Sequence, residues 1–310
     1  MLINVALPSR AGERRRESGI DSYVLVNIEH IDHFRNFPYD VEYVFNCRGF
    51  RDLEWPEDQD LKDCVWCVGD SFTVGIGSPF DHAWPQVLQR RAEKRTVNVA
   101  MDGASNEWIA MMATEILVGV CPKHMVIMWS YLHRRMNGNS GIGNARRDNW
   151  LTQGADNFWK SFYNSLRLPH WPEAPSLKDF AQLPEYIRRD LRDIHGNNWL
   201  QISSDLFEAR ISDDLDRRIH AELTRNQDDV KNIKQCLDKV RSVQSDTNII
   251  HAMIPQFAPE LYVPQVLDLL NQAGPCVEYL SHPLDWARDH HHFDIDTSEH
   301  IVDQLLPLIK

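Results

Sequence analysis

Ser71 follows Gly69 and Asp70 at the end of an apolar run, Cys64 to Val68, in the stretch CVWCVGDSFTVGIG. Small, turn-compatible residues after a buried strand are what a sharp strand-to-helix elbow requires. Such an elbow leaves the Ser71 hydroxyl at the carboxyl end of the strand, beside the N–H groups that open the next helix. Those amides and the helix dipole stabilise developing negative charge. Far down the chain stands RDHHHFDIDTSEH, where Asp289 and His292 are three residues apart, close enough on a turn for a carboxylate to orient an imidazole. Hydroxyl, imidazole and carboxylate together make a site for acyl transfer, with Ser71 as nucleophile, His292 as base and Asp289 as its orienting acid.

The same run offers a rival chemistry. Asp289, His290, His292, Asp294 and Asp296 are carboxylate and imidazole ligands within eight residues. Ligands so crowded seldom close a coordination shell alone, and a metal leaves the Ser71 stretch unexplained. The expectation is therefore no metal and no cofactor, with His290 and His291 exposed or structural. Asp70, next to the serine, is expected to cap or brace the elbow.

Gly69-Asp70-Ser71-Phe72-Thr73, with Gly75 and Gly77, resembles the first block of the SGNH (GDSL-type) hydrolases, and Asp289-x-x-His292 resembles their last block. Asn98 to Ser105 is similar to their asparagine-to-glycine loop after the second strand. The blocks fall in family order and cover roughly residues 61–113 and 248–310. The third block departs, reading Met128-Trp129-Ser130-Tyr131-Leu132-His133-Arg134-Arg135 where such families carry Gly-x-Asn-Asp. The resemblance implies oxyanion donors at the backbone N–H groups of Ser71 and Gly103, plus an asparagine side chain that is missing here. Losing one donor typically costs roughly 2.7 to 4 kcal/mol of transition-state stabilisation. Ser130 is the nearest stand-in by position, with Asn137 or Asn139 as others.

Asn46 to Asp52 is similar to the Asn-x-x-Gly-Phe-Arg segment before the catalytic block in some SGNH-like enzymes acting on acylated glycans, including alginate-type O-acetyltransferases. Its plain reading is a β-turn on Gly49 with Phe50 plugging the core edge; the other is a substrate role for Arg48 or Arg51. His133, Arg134 and Arg135 lie just past the third strand, where Arg134 and Arg135 are candidates to bind a carboxylate or phosphate, or else form a solvated turn.

Positioning these groups requires an ordered alternation of strands and helices. Strands are expected at Cys64 to Val68, Thr96 to Ala100, His124 to Trp129, Asn248 to Ile254 and Cys276 to Leu280. Helices are expected within His82 to Arg95, over Asn106 to Val120 capped by Ser105, and over Asp228 to Ser245, Tyr262 to Ala273 and Thr297 to Leu308. This alternation predicts a three-layer α/β/α sandwich, SGNH- or flavodoxin-like, with a parallel central sheet and the site at the strand carboxyl ends. Residues 1–60, with extended pieces at Tyr23 to Ile28 and Val41 to Phe45, are expected to pack on the core as an extension. Residues 61–310 form the main domain, interrupted by a mostly helical, Trp-rich insertion at about 133–225.

A hydrophobic content of 43% and ten tryptophans suffice for a sizeable core, and the net charge of −12 argues against nucleic acid or an anionic membrane as partner. Arg10 and Arg14 to Arg16 are the local exception and are expected to be solvated surface. No stretch approaches the ~20 apolar residues of a spanning helix, and no leader is evident, so a cytoplasmic location is expected. Six cysteines form no disulfide framework, and on a strand Cys64 and Cys67 point to opposite faces. The preferred reading is an esterase acting on a small acyl group carried by a glycan or similar alcohol. An O-acyltransferase with the same site, or a non-catalytic carbohydrate-binding module, are the alternatives.

Overall fold

The computed structural model describes residues 5–17, 31–57, 60–132, 134, 229–256 and 259–309. In chain order the elements are β1 (Arg14–Glu17), α1 (Ile31–Asn36), β2 (Val41–Val44), β3 (Val65–Gly69), α2 (Ser71–Val74), α3 (Trp84–Ala92), β4 (Thr96–Ala100), α4 (Asn106–Gly119) and β5 (His124–Trp129). A helix over 229–241, here α5, then leads to β6 (Asn248–Met253), α6 (Pro259–Ala273) and α7 (Ile295–Leu305). Contacts divide the chain into two compact units, Met1–Arg146 with Asp229–Lys310, and Arg147–Asp228. The helical insertion expected at about 133–225 falls, apart from residue 134, outside the described residues.

Four strands form one parallel sheet in the order β4-β3-β5-β6. Every residue of β3 and β4 is buried, because helices cover both faces. Alternate side chains divide between two cores. Trp66, Val68, Val97, Val99, Met125, Ile127 and Trp129 pack with α4, α5 and α6, whereas Val65, Cys67, Val126, Met128, Ile250 and Ala252 pack with α3 and α7. Cys64 and Cys67 join opposite cores, as the odd spacing requires, and both thiols are free. The fold is a layered α/β arrangement of helices, parallel sheet and helices.

Strand order fixes where a site can form. The chain leaves β3 toward β4 on one side, then returns to place β5 on the other, so the direction of winding switches between β3 and β5. Ligand crevices in open parallel sheets lie outside the strand carboxyl ends at such a switch. Ser71 follows β3 there and Ser130 follows β5.

Several expectations need correction. No fifth strand forms over Cys276 to Leu280; a single parallel bridge, His251 to Cys276, is all that remains. The Glu278 N–H is taken instead by the Gln304 side chain at 2.6 Å, which draws the chain off the sheet edge. Arg14 and Arg16 are exposed, as expected, and the segment also forms β1, antiparallel to β2. Arg15 lies over the Tyr43 ring at 4.3 Å, and Arg16 pairs with Asp40. Tyr23 to Ile28 lies outside the described residues. The final helix stops at Leu305 and continues as a 3₁₀ turn, Leu306–Leu308, because Pro307 offers no N–H.

Asp294 stands at the N-cap of α7 yet makes no side-chain cap bond. Asp285 does that work from outside: its Oδ1 accepts from Thr297 N and Oγ1 at 2.9 and 2.6 Å, and its Oδ2 from Asp296 N at 2.7 Å. Losing such a cap costs typically about 1 kcal/mol, up to about 2. Asp285→Ala is therefore expected to lower the urea unfolding free energy by about 1–2 kcal/mol; an unchanged midpoint would remove Asp285 as the cap.

Candidate active site

The elbow after β3 is built as its residue types require. Asp70 is the extended N-cap of α2, and its Oδ1 accepts from Phe72 N at 3.1 Å while its carbonyl accepts from Thr73 N and Val74 N. Ser71 is thus the first residue of a helical turn, fully buried, and its Oγ has no hydrogen-bond partner. Beyond β4, Gly103 takes φ 72°, a left-handed turn conformation, and the next amide, Ala104 N, donates back to Met101 O at 3.0 Å. Ser105 caps α4 by accepting from Trp108 N at 3.3 Å.

Asp289 and His292 are joined by a tight turn. Ala287 O accepts from His290 N at 2.9 Å, and Ala287 N donates to His292 O at 2.9 Å. His290 sits at φ 51°, a backbone cost that a non-glycine residue bears only where its surroundings impose it. The Asp289 carboxylate accepts His292 Nδ1 at 2.5 Å on Oδ2, and the amides of His291 and His292 at 3.1 Å on Oδ1. Burial acts to raise its pKa, but the charge and hydrogen bond of His292, with His291 behind it, outweigh that and hold it well below the usual carboxylate range. The far nitrogen, His292 Nε2, is buried without a hydrogen-bond partner, as Ser71 Oγ is. The two make no hydrogen bond to each other, but the His292 ring packs 4.6 Å from Phe72, the residue after the serine.

Three ties hold the histidine turn against the serine loop, and a fourth comes from α1. Gly77 O accepts from Arg288 N at 3.0 Å, and Ser78 Oγ donates to Phe293 O at 2.6 Å. His82 Nδ1 pairs with Asp294 Oδ1 at 2.7 Å, and His33 Nε2 donates to Ala287 O at 2.8 Å. The N-terminal pieces brace the same loop from below. Tyr43 OH accepts from Gly77 N at 2.8 Å, and the buried Arg51 donates to the carbonyls of Glu42, Val74, Gly75 and Ser78. Burial lowers the Arg51 pKa to about 10. Arg51 is thus a brace under the elbow rather than a substrate ligand, and Gly49, at φ 85° beside the fully buried Phe50, keeps its plain reading as a turn at the core edge.

The altered third block is also structural in detail. Ser130 Oγ donates to Asp70 Oδ2 at 2.6 Å and accepts from Arg134 Nη1 at 2.8 Å, so its hydroxyl is committed rather than aimed at an oxyanion. Arg134 is 3% exposed and pairs with Asp70 Oδ2 at 2.8 Å, so it is not a free anion ligand at the mouth of the sheet. Arg135, His133, Asn137 and Asn139 lie outside the described residues. Among the described residues no group of three or more His, Cys, Asp or Glu side chains is placed to hold a metal ion. Asp289 serves His292, and Asp294 serves His82 and Ser78. His291 is neither exposed nor idle, since its Nε2 lies 3.2 Å from Tyr131 OH and its ring stands edge-on to His292 at 4.7 Å. The His82–Asp294 clamp gave no sequence signal, because its members are 212 residues apart.

Fold and site together define an α/β protein with a serine at a strand-to-helix elbow and an Asp–His pair delivered to the same end of the sheet. No family model and no curated protein matches the chain. Among solved structures, a carbohydrate acetylesterase family member from Sinorhizobium meliloti is similar over 80% of this chain and 97% of that one, at 13% identity and a TM-score of 0.36. The fold is defined by this chain's own strand order, not by that likeness. No described helix is long and apolar enough to cross a membrane.

A side chain at Gly77 would be tight: at φ 77° its Cβ would lie 3.0 Å from both Asp289 Oδ1 and Ala287 Cβ, which would have to give by a few tenths of an ångström. The left-handed backbone adds roughly 1–2 kcal/mol of strain for any other residue. Gly77→Ala is expected to lower the melting temperature, read by calorimetry; a wild-type value would contradict the contact.

The His82 pKa is raised, chiefly by its hydrogen bond to Asp294, with burial opposing and the charges of Asp294 and Asp81 adding. A raised folded value means the contribution of the pair is complete below the unfolded pKa of about 6.5 and is lost as pH rises through the folded value. Urea unfolding of the wild type is expected to weaken across that window relative to His82→Ala. Parallel stability curves for the two would contradict the clamp.

Proposed function

We propose that this chain is a serine ester hydrolase that removes a small acyl group, such as O-acetyl, from a glycan or similar polar alcohol. The observation that carries the reading is a pair of buried polar atoms without partners, Ser71 Oγ and His292 Nε2, the latter on a ring whose other nitrogen is held by Asp289. Buried polar atoms in folded proteins are normally satisfied; among the ten such orphans of the described residues, these two are a hydroxyl and an imidazole nitrogen of complementary chemistry. Hydrogen bonds between catalytic groups are often unmade until substrate binds.

In the proposed reaction, Asp289 accepts the Nδ1 proton of His292 in a hydrogen bond and so leaves the Nε2 lone pair as the base for the serine. Nε2 takes the Ser71 proton as Oγ bonds to the ester carbonyl carbon. The resulting oxyanion accepts from the amides of Ser71 and Gly103, and the helix dipole of α2 adds to its stabilisation. Collapse breaks the bond to the alcohol oxygen, which leaves with the proton from Nε2. Water then attacks the acyl-enzyme with the same imidazole as base and releases the acid.

A ring-bearing alcohol is supported by aromatic side chains along the histidine turn and α1. Trp286 stacks on His290 at 5.0 Å, His33 stands edge-on to His290 at 4.9 Å, and Tyr39 is 47% exposed. Ser71→Ala is expected to reduce p-nitrophenyl acetate turnover at least 10³-fold, the scale of losing a nucleophile. Equal rates for wild type and variant would overturn the enzyme reading.

A further inference from the structure

The carboxylate of Asp70 lies directly behind the proposed nucleophile, fully buried, and is held by more than its capping role needs. Oδ1 caps α2 through Phe72 N, while Oδ2 accepts both Ser130 Oγ at 2.6 Å and Arg134 Nη1 at 2.8 Å. Ser130 and Arg134 are themselves 0% and 3% exposed. The network continues to the other proposed oxyanion loop. Ser130 N donates to Asn106 Oδ1 at 2.8 Å, and Asn106 Nδ2 donates to the carbonyls of Ser130 and Tyr131 at 3.4 and 3.3 Å. Asn106 opens α4, three residues after Gly103. The loops after β3 and β4 are therefore both fastened to the end of β5, across the switch point of the sheet. A further contact reaches the neighbour of the base: the Arg134 guanidinium lies 4.6 Å over the Tyr131 ring, whose hydroxyl meets His291 beside His292.

We propose that Arg134 is a positioning residue for the ester chemistry, fixing through Asp70, Ser130 and Asn106 the separation of the Ser71 and Gly103 amides. The inference rests on the reading of Ser71 as nucleophile. Two backbone donors held rigidly at the position of the developing charge are worth more than the same donors free to drift, because they need no reorganisation as the oxyanion forms. The Arg134 charge is what makes so rigid a support tolerable, since a buried carboxylate without a partner is strongly unfavourable. Because the network touches amides and not substrate, its loss falls on the transition state: kcat drops while KM holds.

The test compares wild type, Arg134→Lys, Arg134→Gln, Ser130→Ala and Ser71→Ala in steady-state turnover of p-nitrophenyl acetate, with melting temperature measured on each. Arg134→Gln is expected to lower kcat at least tenfold with KM changed less than twofold. Arg134→Lys, which keeps the charge, recovers part of that loss. Ser130→Ala, which keeps the ion pair, gives a smaller drop of the same kind if Arg134→Gln does not fold. A kcat within twofold of wild type for both Arg134→Gln and Ser130→Ala, or a rise in KM at constant kcat, overturns the positioning role. Full activity of Ser71→Ala sinks the nucleophile reading instead, so the two failures are distinguishable.

Discussion

The hydrogen bond from Ser78 Oγ to Phe293 O joins groups 215 residues apart, and the site depends on that closure. It belongs to a seam in which Gly77, Ser78 and His82 bind Arg288, Phe293 and Asp294. Each bond contributes only about 0.5–1.5 kcal/mol net, so no single one holds the turn. Their joint effect is geometric: they bring the loop bearing Asp289 and His292 to the carboxyl end of β3. The N-terminal pieces add to the seam from outside the sheet, through Tyr43 on Gly77, Arg51 under the elbow and His33 on Ala287. The N-terminal extension is thereby part of the site's support.

The parallel sheet was legible because its strands are buried on both faces and read as short apolar runs between turn signals. Thr96–Ala100 and His124–Trp129 have the expected ends, and Ser105 caps α4 as its position before an apolar helix suggested. The fifth strand was overread: Cys276 to Leu280 has strand-like residues, but a side chain from α7 competes for the Glu278 amide. Arg14 and Arg16 are exposed, as expected of a solvated segment, but their charge masked a strand whose long side chains lie along Tyr43 and toward Asp40.

At the site, local geometry was readable and long-range partnership was not. Asp289-x-x-His292 spans one turn, so its spacing alone implied the pair seen at 2.5 Å. Nothing local to Ser130 or Arg134 reports that both meet Asp70, 60 and 64 residues earlier, since that contact is made by the order of strands in the sheet. A positive side chain just past a strand looked open to ligands, yet strand order turned it inward onto a buried carboxylate. The same physics explains Arg51, whose charge is dispersed over four carbonyls and the Tyr43 ring.

The central claim is that the Ser71 hydroxyl is a nucleophile activated by His292. Incubation with a small fluorophosphonate, followed by peptide mass spectrometry, tests it most directly. The account predicts one stoichiometric adduct on Ser71 in the wild type and loss of labelling in His292→Ala. An adduct on another residue, or equal labelling of Ser71 in both proteins, would contradict it.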